Sequence, residues 1–344
     1  MLTSEEKKRY SRHLILEEFG EEKQQKLKKA RVLVIGAGGL SCPALQYLAA
    51  AGVGTLAIID NDKVDQSNLQ RQILYTQKDI GSYKVVAAKK RLQAMNPLID
   101  VVIYKENLTV NNAIEIFENY DLIIEGSDSF AAKYLTNDAA VLTKKPFVLA
   151  SISKFEGQLS VFNYQDGPTY RCLFPEPASL EMPTCSQIGV LGVLPGVLGT
   201  LMANEAIKML TGLEEVLSGK LLTLNLLSLE QQIFPFQKDV SIQITQLEEL
   251  VDSCSTQIAE ISYQEYVQQL ENYALLDVRT LEERKKHHIG GKHIPLDQLE
   301  KSSEKISAEK TIVYCASGVR SKKAIEILQR KFSNQQFLNL KGGL

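Results

Sequence analysis

The sequence predicts an α/β protein of two domains, a large one built on a mixed, mostly parallel sheet and a smaller α/β one after it. Three observations carry this. The apolar run Val32–Ile35 opens into a glycine cluster, Gly36, Gly38 and Gly39, and a helical pattern over Pro43–Ala51 follows. That is the strand, tight turn and helix of a parallel α/β unit. Near Ala259 the pattern restarts with a strand, loop and helix of its own. A length of 344 residues also exceeds what one hydrophobic core normally serves.

Composition excludes several classes. A net charge of −2 gives no basic footprint for nucleic acid and no polybasic patch for a membrane surface. The N-terminus, MLTSEEKKRYSRH, lacks the apolar core of a secretion leader. The longest weakly polar run, Ile188–Ala203, is broken by Pro195 and glycines and falls short of the ~20 residues that span a bilayer. It reads as a buried loop and helix. Five cysteines without a leader suggest a reducing cytoplasm and thiol chemistry rather than disulfides.

In chain order, residues 1–30 read as helix, with Tyr10, Leu14, Ile15, Phe19 and Leu27 on a patchy apolar face. Arg9 and Arg12 lie here, and solvated helix charge is as good a reading of them as any. The run Leu56–Ile59 ends at Asp60, about twenty residues after the glycines, where a nucleotide-binding fold sets an acid against a ribose. The glycine turn lets backbone N–H groups and the following helix N-terminus approach a phosphate.

A polar segment, NDKVDQSNLQRQILY, supplies Asn68, Gln70, Arg71 and Gln72, and Lys84 follows in GSYKV. Dinucleotide sites hold their pyrophosphate largely with backbone groups. Chemistry on a triphosphate needs cations, so this cluster favours ATP. Helices are predicted over Lys84–Met95 and Asn111–Asn119, and strands over Val101–Tyr104, Leu122–Glu125, Phe147–Ser151, Gly157–Tyr164 and Gly219–Asn225. Asp128 follows one strand's carboxyl end, placed either to hold Mg²⁺ on phosphate oxygens or to cap a helix.

RYSRHLIL, GAGGLS, IIDND, SNLQRQ, GSYKV, GSDS and GVLGVLPGVLGTLMANEAIK occur in this order between about Arg9 and Leu229. This resembles the MoeB/ThiF family of ubiquitin-activating-enzyme-like adenylyltransferases, which activate the sulfur-carrier proteins of molybdopterin and thiamine synthesis. The resemblance implies a Rossmann-like adenylation domain that pairs as a homodimer. It implies that Arg12 and Arg71 contact the triphosphate. Gly36, Gly38, Gly39, Asp60, Ser67, Asn68, Lys84, Asp128 and Ser129 would bind ATP, with Asp128 handling Mg²⁺. The carboxylate of a partner's C-terminal Gly-Gly would attack the α-phosphate, and Cys185, in EMPTCSQIGVLG, would attack the activated carbonyl. Cys42 reads as core packing.

Two departures stand out. Ser41 replaces a glycine common in relatives and can still cap the helix. Many relatives hold a structural zinc with two Cys-x-x-Cys pairs; here only Cys172 survives of the first, in Thr169–Cys172, and FPFQKDVSIQI has no cysteine for the second. One thiol cannot hold tetrahedral zinc, so no structural zinc is expected.

Beyond a linker over 239–258, Ile261–Leu270 reads as helix, Ala274–Val278 as strand, and HIGGKHIPL as a turn and short strand. Thr311–Tyr314 is a buried strand feeding Cys315-Ala316-Ser317-Gly318-Val319-Arg320-Ser321, and Lys322–Lys331 is a helix. Loop amides, the helix dipole and Arg320 all favour a Cys315 thiolate. The Cys-x4-Arg spacing is one residue shorter than the phosphatase loop that fits a phosphate, so persulfide chemistry is the better fit. LLDVR, HIGGKHIPL, YCASGVRS and NLKGGL resemble a rhodanese module, which implies that Cys315 carries a persulfide held by Arg320 and the loop amides.

The expected organisation is an adenylation domain at 1–238, a linker at 239–258 and a rhodanese-like domain at 259–344. The expected activity is ATP- and Mg²⁺-dependent adenylation of a ubiquitin-like sulfur carrier ending in Gly-Gly. Sulfur transfer from a persulfide donor through Cys315 would then leave a thiocarboxylate. Two rivals are an NAD-binding redox sensor with an inactive rhodanese domain and activation of a ubiquitin-like modifier for conjugation. The crowding of Arg71, Lys84 and Asp128 argues against the first. No segment resembling a domain that recruits a conjugating enzyme supports the second.

Overall fold

The run after the first thirty residues forms β1 (Arg31–Ile35), buried on both sides. Val32 and Val34 enter one core and Leu33 and Ile35 the other. This period of two, apolar on both faces, is what a central parallel strand requires. The structure is a computed structural model that describes residues 1–175, 189–249, 258–268, 273–299, 310–332 and 335–344. The chain divides into two units, Met1–Asp252 and Ser253–Leu344.

The first unit is organised on an eight-stranded sheet. Its strands are β1, β2 (Thr55–Ile59), β3 (Asp100–Tyr104), β4 (Leu122–Glu125), β5 (Phe147–Ser153), β6 (Glu156–Phe162), β7 (Lys220–Asn225) and β8 (Gln231–Pro235), in the order β3-β2-β1-β4-β5-β6-β7-β8. The first five in that order are parallel and the last three antiparallel. Val34 stands between Ile58 and Ile124 in register. Strand order reverses at β1, between β2 and β4, and a doubly wound sheet opens a ligand crevice at such a point.

Helices Ser41–Ala51, Lys84–Met95 and Val193–Thr211 pack on one face, through residues such as Leu45, Leu92 and Met202. Helices Ala113–Glu118 and Phe130–Leu142 cover the other, through Phe117 and Tyr134. Gly199 lets Val193–Thr211 approach closely: a Cβ there would run into Leu40 O and Pro43 Cγ.

Residues 1–30 differ from one amphipathic helix. They form three short helices, Ser4–Arg9, Ser11–Leu14 and Gly20–Lys29, with a Thr3–Glu6 capping box at the first. Gly20 takes a left-handed φ of +63° where the third begins. Tyr10, Phe19 and Leu27 are buried, but Ile15 is 71% exposed. Residues 238–249 run on within the first unit, and Leu247 packs against its core.

The second unit has a five-stranded parallel sheet: β9 (Glu260–Ile261), β10 (Ala274–Asp277), β11 (Lys292–His293), β12 (Lys310–Tyr314) and β13 (Gln336–Leu340), in the order β11-β10-β12-β13-β9. Ile261 is thus strand, and the expected helix begins later, at Tyr263–Gln268. Helix Val319–Lys331 follows β12 after the short loop Cys315–Gly318. No helix among the described residues is long and apolar enough to cross a membrane.

Candidate functional sites

The turn after β1 is fixed from three sides. Gly36 N–H donates to Ile59 O at 2.9 Å, and Gly36 has a φ of +78°. Ala37 N–H donates to Asp60 Oδ2 at 2.7 Å, and the Tyr75 hydroxyl donates to Ala37 O at 2.8 Å. Asp60 Oδ1 accepts from Asp62 N–H at 2.7 Å, so one carboxylate ties the turn after β1 to the loop after β2. Burial pushes its carboxyl up, against the pull of Lys84 and these N–H groups.

The turn is one wall of a crevice of about 470 Å³, a size that suits a small-molecule ligand. Gly36, Gly38, Gly39 and Asp60 line it together with Ser67, Asn68, Arg71, Lys84 and Asp128. The fold therefore gathers nine of the eleven nucleotide-site positions expected from the sequence. Arg12 is not among the lining residues; it is exposed on helix Ser11–Leu14. Neither is Ser129, which caps helix Phe130–Leu142 by accepting from Ala132 N–H at 3.0 Å. The cap is thus Ser129 rather than Asp128, and Asp128 faces the crevice.

Lys84 is buried, and its ammonium donates to Asp62 at 2.8 Å, while the Asp62 side chain is 73% exposed. Arg71 donates to Ser67 O at 3.1 Å. Two charged lining residues, Asp62 and Lys133, are not singled out by the sequence. Lys133 is buried and donates to Ser151 Oγ at 2.9 Å. For Asp62 the signal was its place two residues after Asp60. For Lys133, one turn into a helix behind the GSDS segment, only the fold supplies it.

Beneath the crevice, Glu125 is fully buried and accepts from Ser127 N–H, Ser127 Oγ and Thr136 Oγ1. Ser41 does not cap its helix. Leu40 occupies the cap position, and Ser41 Oγ is buried with no hydrogen-bond partner, against Gly126, where a Cβ would strike it. Cys42 is core, and burial pushes its thiol up to about 12.

No cluster of three or more His, Cys, Asp or Glu suited to a metal occurs among the described residues. Cys172 Sγ accepts instead from the N–H groups of Thr169 and Asp239, each at 3.3 Å. Asp128, an acidic side chain on the crevice wall, fits a Mg²⁺ shared with phosphate oxygens.

In the second unit Cys315 follows β12 and is buried. Gly318, with a φ of +83°, caps helix Val319–Lys331 and turns its N–H onto Cys315 Sγ at 3.1 Å. Ser321 Oγ lies 3.3 Å from the sulfur. Burial pushes the thiol up, but the Ser321 hydroxyl and the N–H groups of Ser317, Ser321 and Gly318 outweigh it, leaving it below the usual thiol range.

Gly343 closes over this loop, where a Cβ would strike Ser317 N, Ala316 C and Cys315 O, and Leu344 N–H donates to Cys315 O at 2.9 Å. Arg320 acts on Cys315 through its charge and also has a carboxylate partner. Its fork grips Glu283 at 2.8 and 2.6 Å, and Glu283 is held well below the usual carboxylate range by that pairing and by Thr280. Asp277 and Arg279 of the DVR segment form a buried fork at 2.9 and 2.8 Å that locks the end of β10. Cys185 lies outside the described residues.

A cation-lined nucleotide crevice at a sheet's switch point and an amide-cradled thiol on a second α/β unit define an adenylyltransferase joined to a sulfurtransferase. Residues 10–244 match the ThiF family and residues 262–344 the rhodanese-like domain. The chain belongs to the ThiF family and carries a C-terminal rhodanese-like domain.

It is 41% identical to a probable adenylyltransferase/sulfurtransferase MoeZ of Mycobacterium tuberculosis, over 100% of this chain and 93% of that one. It is 51% identical to a sulfur carrier protein adenylyltransferase of Thermus thermophilus, over 64% of this chain and 83% of that one. The crystal structure of E. coli MccB shares the fold, with a TM-score of 0.63 at 21% identity, over 73% of this chain and 75% of that one.

Proposed function

We propose that this enzyme adenylates the C-terminal glycine of a ubiquitin-like sulfur carrier and then passes it sulfur from a Cys315 persulfide, giving a thiocarboxylate. The observation that carries this reading is the pairing, on one chain, of a crevice lined by Arg71, Lys84 and Asp128 with the buried Cys315 held by loop amides. The first activates a carboxylate at the expense of ATP. The second supplies a nucleophile to consume the activated product.

In the first step a carboxylate oxygen of the carrier attacks the α-phosphorus. The bond to the bridging oxygen of pyrophosphate breaks, and an acyl-adenylate forms. Two anions must meet, so Arg71 and Lys84 offset phosphate charge and the N–H groups of Gly38 and Gly39, on the crevice wall, orient the phosphates. Mg²⁺ at Asp128 would neutralise further triphosphate charge. In the second step the terminal sulfur of the Cys315 persulfide attacks the acyl carbon and AMP leaves, giving an acyl disulfide. A thiolate, with Cys185 the candidate, then attacks Cys315 Sγ. The S–S bond breaks, the carrier departs as thiocarboxylate and a Cys185–Cys315 disulfide remains. An external thiol reductant returns both cysteines to thiols, and a persulfide donor reloads Cys315.

Arg12, outside the lining of its own crevice, would reach a triphosphate as the partner subunit's Arg12 in a homodimer. ATP–pyrophosphate exchange that depends on a Gly-Gly-ended carrier tests the first step, and nucleotide binding without exchange would refute it. Thiocarboxylate formed at full rate by Cys315→Ala would refute the second.

A further inference from the structure

Behind Cys315 lies a buried polar chain that the proposed reaction does not use. Ser321 and Asn339 are 0% and 1% exposed, in a unit whose surrounding core is apolar. Ser321 Oγ donates to Asn339 Oδ1 at 2.6 Å and lies 3.3 Å from Cys315 Sγ. Asn339 Nδ2 donates to Glu260 Oε1 at 3.2 Å, and Lys322 pairs with the same carboxylate at 2.8 Å. The backbone of Asn339 is pinned in β13, where its N–H donates to Ala259 O at 2.8 Å.

A carboxylate can only accept, so Glu260 fixes which way the Asn339 amide faces: nitrogen to Glu260, oxygen to Ser321. The Ser321 hydroxyl has one proton. While that proton is given to Asn339, the serine can only accept from a Cys315 thiol. When it is given to sulfur, it stabilises the thiolate and leaves Asn339 Oδ1 buried and unpaired.

We propose that Ser321 and Asn339 are positioning residues that set the reactivity of Cys315 in opposite senses. Ser321 stabilises the thiolate, and Asn339, aimed by Glu260, competes for the serine proton and restrains it. The role rests on the reading of Cys315 as the sulfur-bearing nucleophile. The pair leaves the buried thiol neutral until it ionises, when the serine hydroxyl turns its proton from Asn339 to the sulfur.

Among the described residues, the other charged groups near Cys315 have carboxylate or guanidinium partners of their own, though Arg320 still acts on the sulfur through its charge. Arg320 forks onto Glu283 of helix Leu281–Lys286, and Asp277 at the end of β10 is held by Arg279 and Arg284.

The test is the pH profile of iodoacetamide alkylation at Cys315 in the full-length chain, resolved by peptide mass spectrometry. Ser321→Ala is expected to alkylate about tenfold more slowly below the thiol pKa, one pKa unit of lost thiolate. Asn339→Leu is expected to alkylate about threefold faster. Glu260→Ala, at a half-exposed position where misfolding is no obstacle, frees the amide to turn and is expected to accelerate in the same sense. Glu260→Gln keeps the acceptor and stays closer to the unaltered chain.

An unchanged or faster profile in Ser321→Ala overturns the proposal. So does an unchanged or slower one in Asn339→Leu and Glu260→Ala. Equal acceleration in Glu260→Gln and Glu260→Ala would trace the effect to lost charge and overturn it as well. Alkylation needs neither ATP, carrier nor sulfur donor, so this result and that of the sulfur-transfer assay fail independently.

Discussion

Lys84→Met isolates the electrostatic part of the nucleotide site. Methionine keeps much of the buried stem and removes only the ammonium. In the structure that ammonium is held at 2.8 Å by Asp62, whose side chain is 73% exposed. An ion pair with so solvated a partner contributes under about 1 kcal/mol to stability, so the melting temperature should move little. A bound triphosphate is a different partner: charge-assisted hydrogen bonds to it inside the crevice are worth about 1.5–3 kcal/mol. The expected loss in kcat/KM for carrier-dependent ATP–pyrophosphate exchange is therefore roughly 10- to 150-fold. Asp62→Asn should move the other way, lowering KM for ATP by releasing Lys84 from its counter-ion. An exchange rate within twofold of the unaltered enzyme in Lys84→Met would refute the placement of phosphate beside Lys84. So would a loss fully explained by a collapsed melting temperature.

Gly36→Ala should weaken ATP binding and lower the melting temperature. It forces a side chain into a φ of +78° at a cost of about 1–2 kcal/mol, and its Cβ would press on the Ser127 backbone at 3.2 Å; isothermal titration and thermal melts check this. For Asp277, burial raises the carboxyl, but the side-chain and backbone donors of Arg279 and its charge outweigh that and leave it lowered. A depressed folded-state pKa means stability that is present above the unfolded carboxyl value and is lost as pH falls below about 4. Asp277→Asn should remove part of that acid dependence and cost about 3–5 kcal/mol near neutrality by stranding Arg279, as read by melts across pH.

The parts of the fold legible in the sequence are those whose residues are dictated by burial. β1, β2, β4 and β12 are apolar on both faces, and the turns after β1 and β12 need glycine or a cysteine loop that no ordinary connection explains. β8 could not be read: all five residues, Gln231–Pro235, are exposed, so no alternation marks it. β9 has two residues, too few for a pattern.

At the sites, residue types marked Arg71, Lys84, Asp128 and Cys315 as candidates, because charge beside a glycine turn suits phosphate and a thiol before a helix suits a thiolate. Pairings across the chain stayed hidden. Arg320 grips Glu283, 37 residues away, and Ser321 meets Asn339 across 18 residues. Ser41 looked like a cap because serine usually is one. The helix starts a residue too early for it, at Ser41 itself, and the hydroxyl lies buried in the space that Gly126 leaves open.

Mass spectrometry of a Gly-Gly-ended sulfur carrier after incubation with ATP, Mg²⁺, a persulfide donor and the enzyme reads both proposed steps at once. The unaltered chain should convert the carrier to its thiocarboxylate. Cys315→Ala should stop at the acyl-adenylate, with pyrophosphate exchange intact. Thiocarboxylate formed at full rate by Cys315→Ala, or a carrier left untouched by the unaltered chain, would contradict the account.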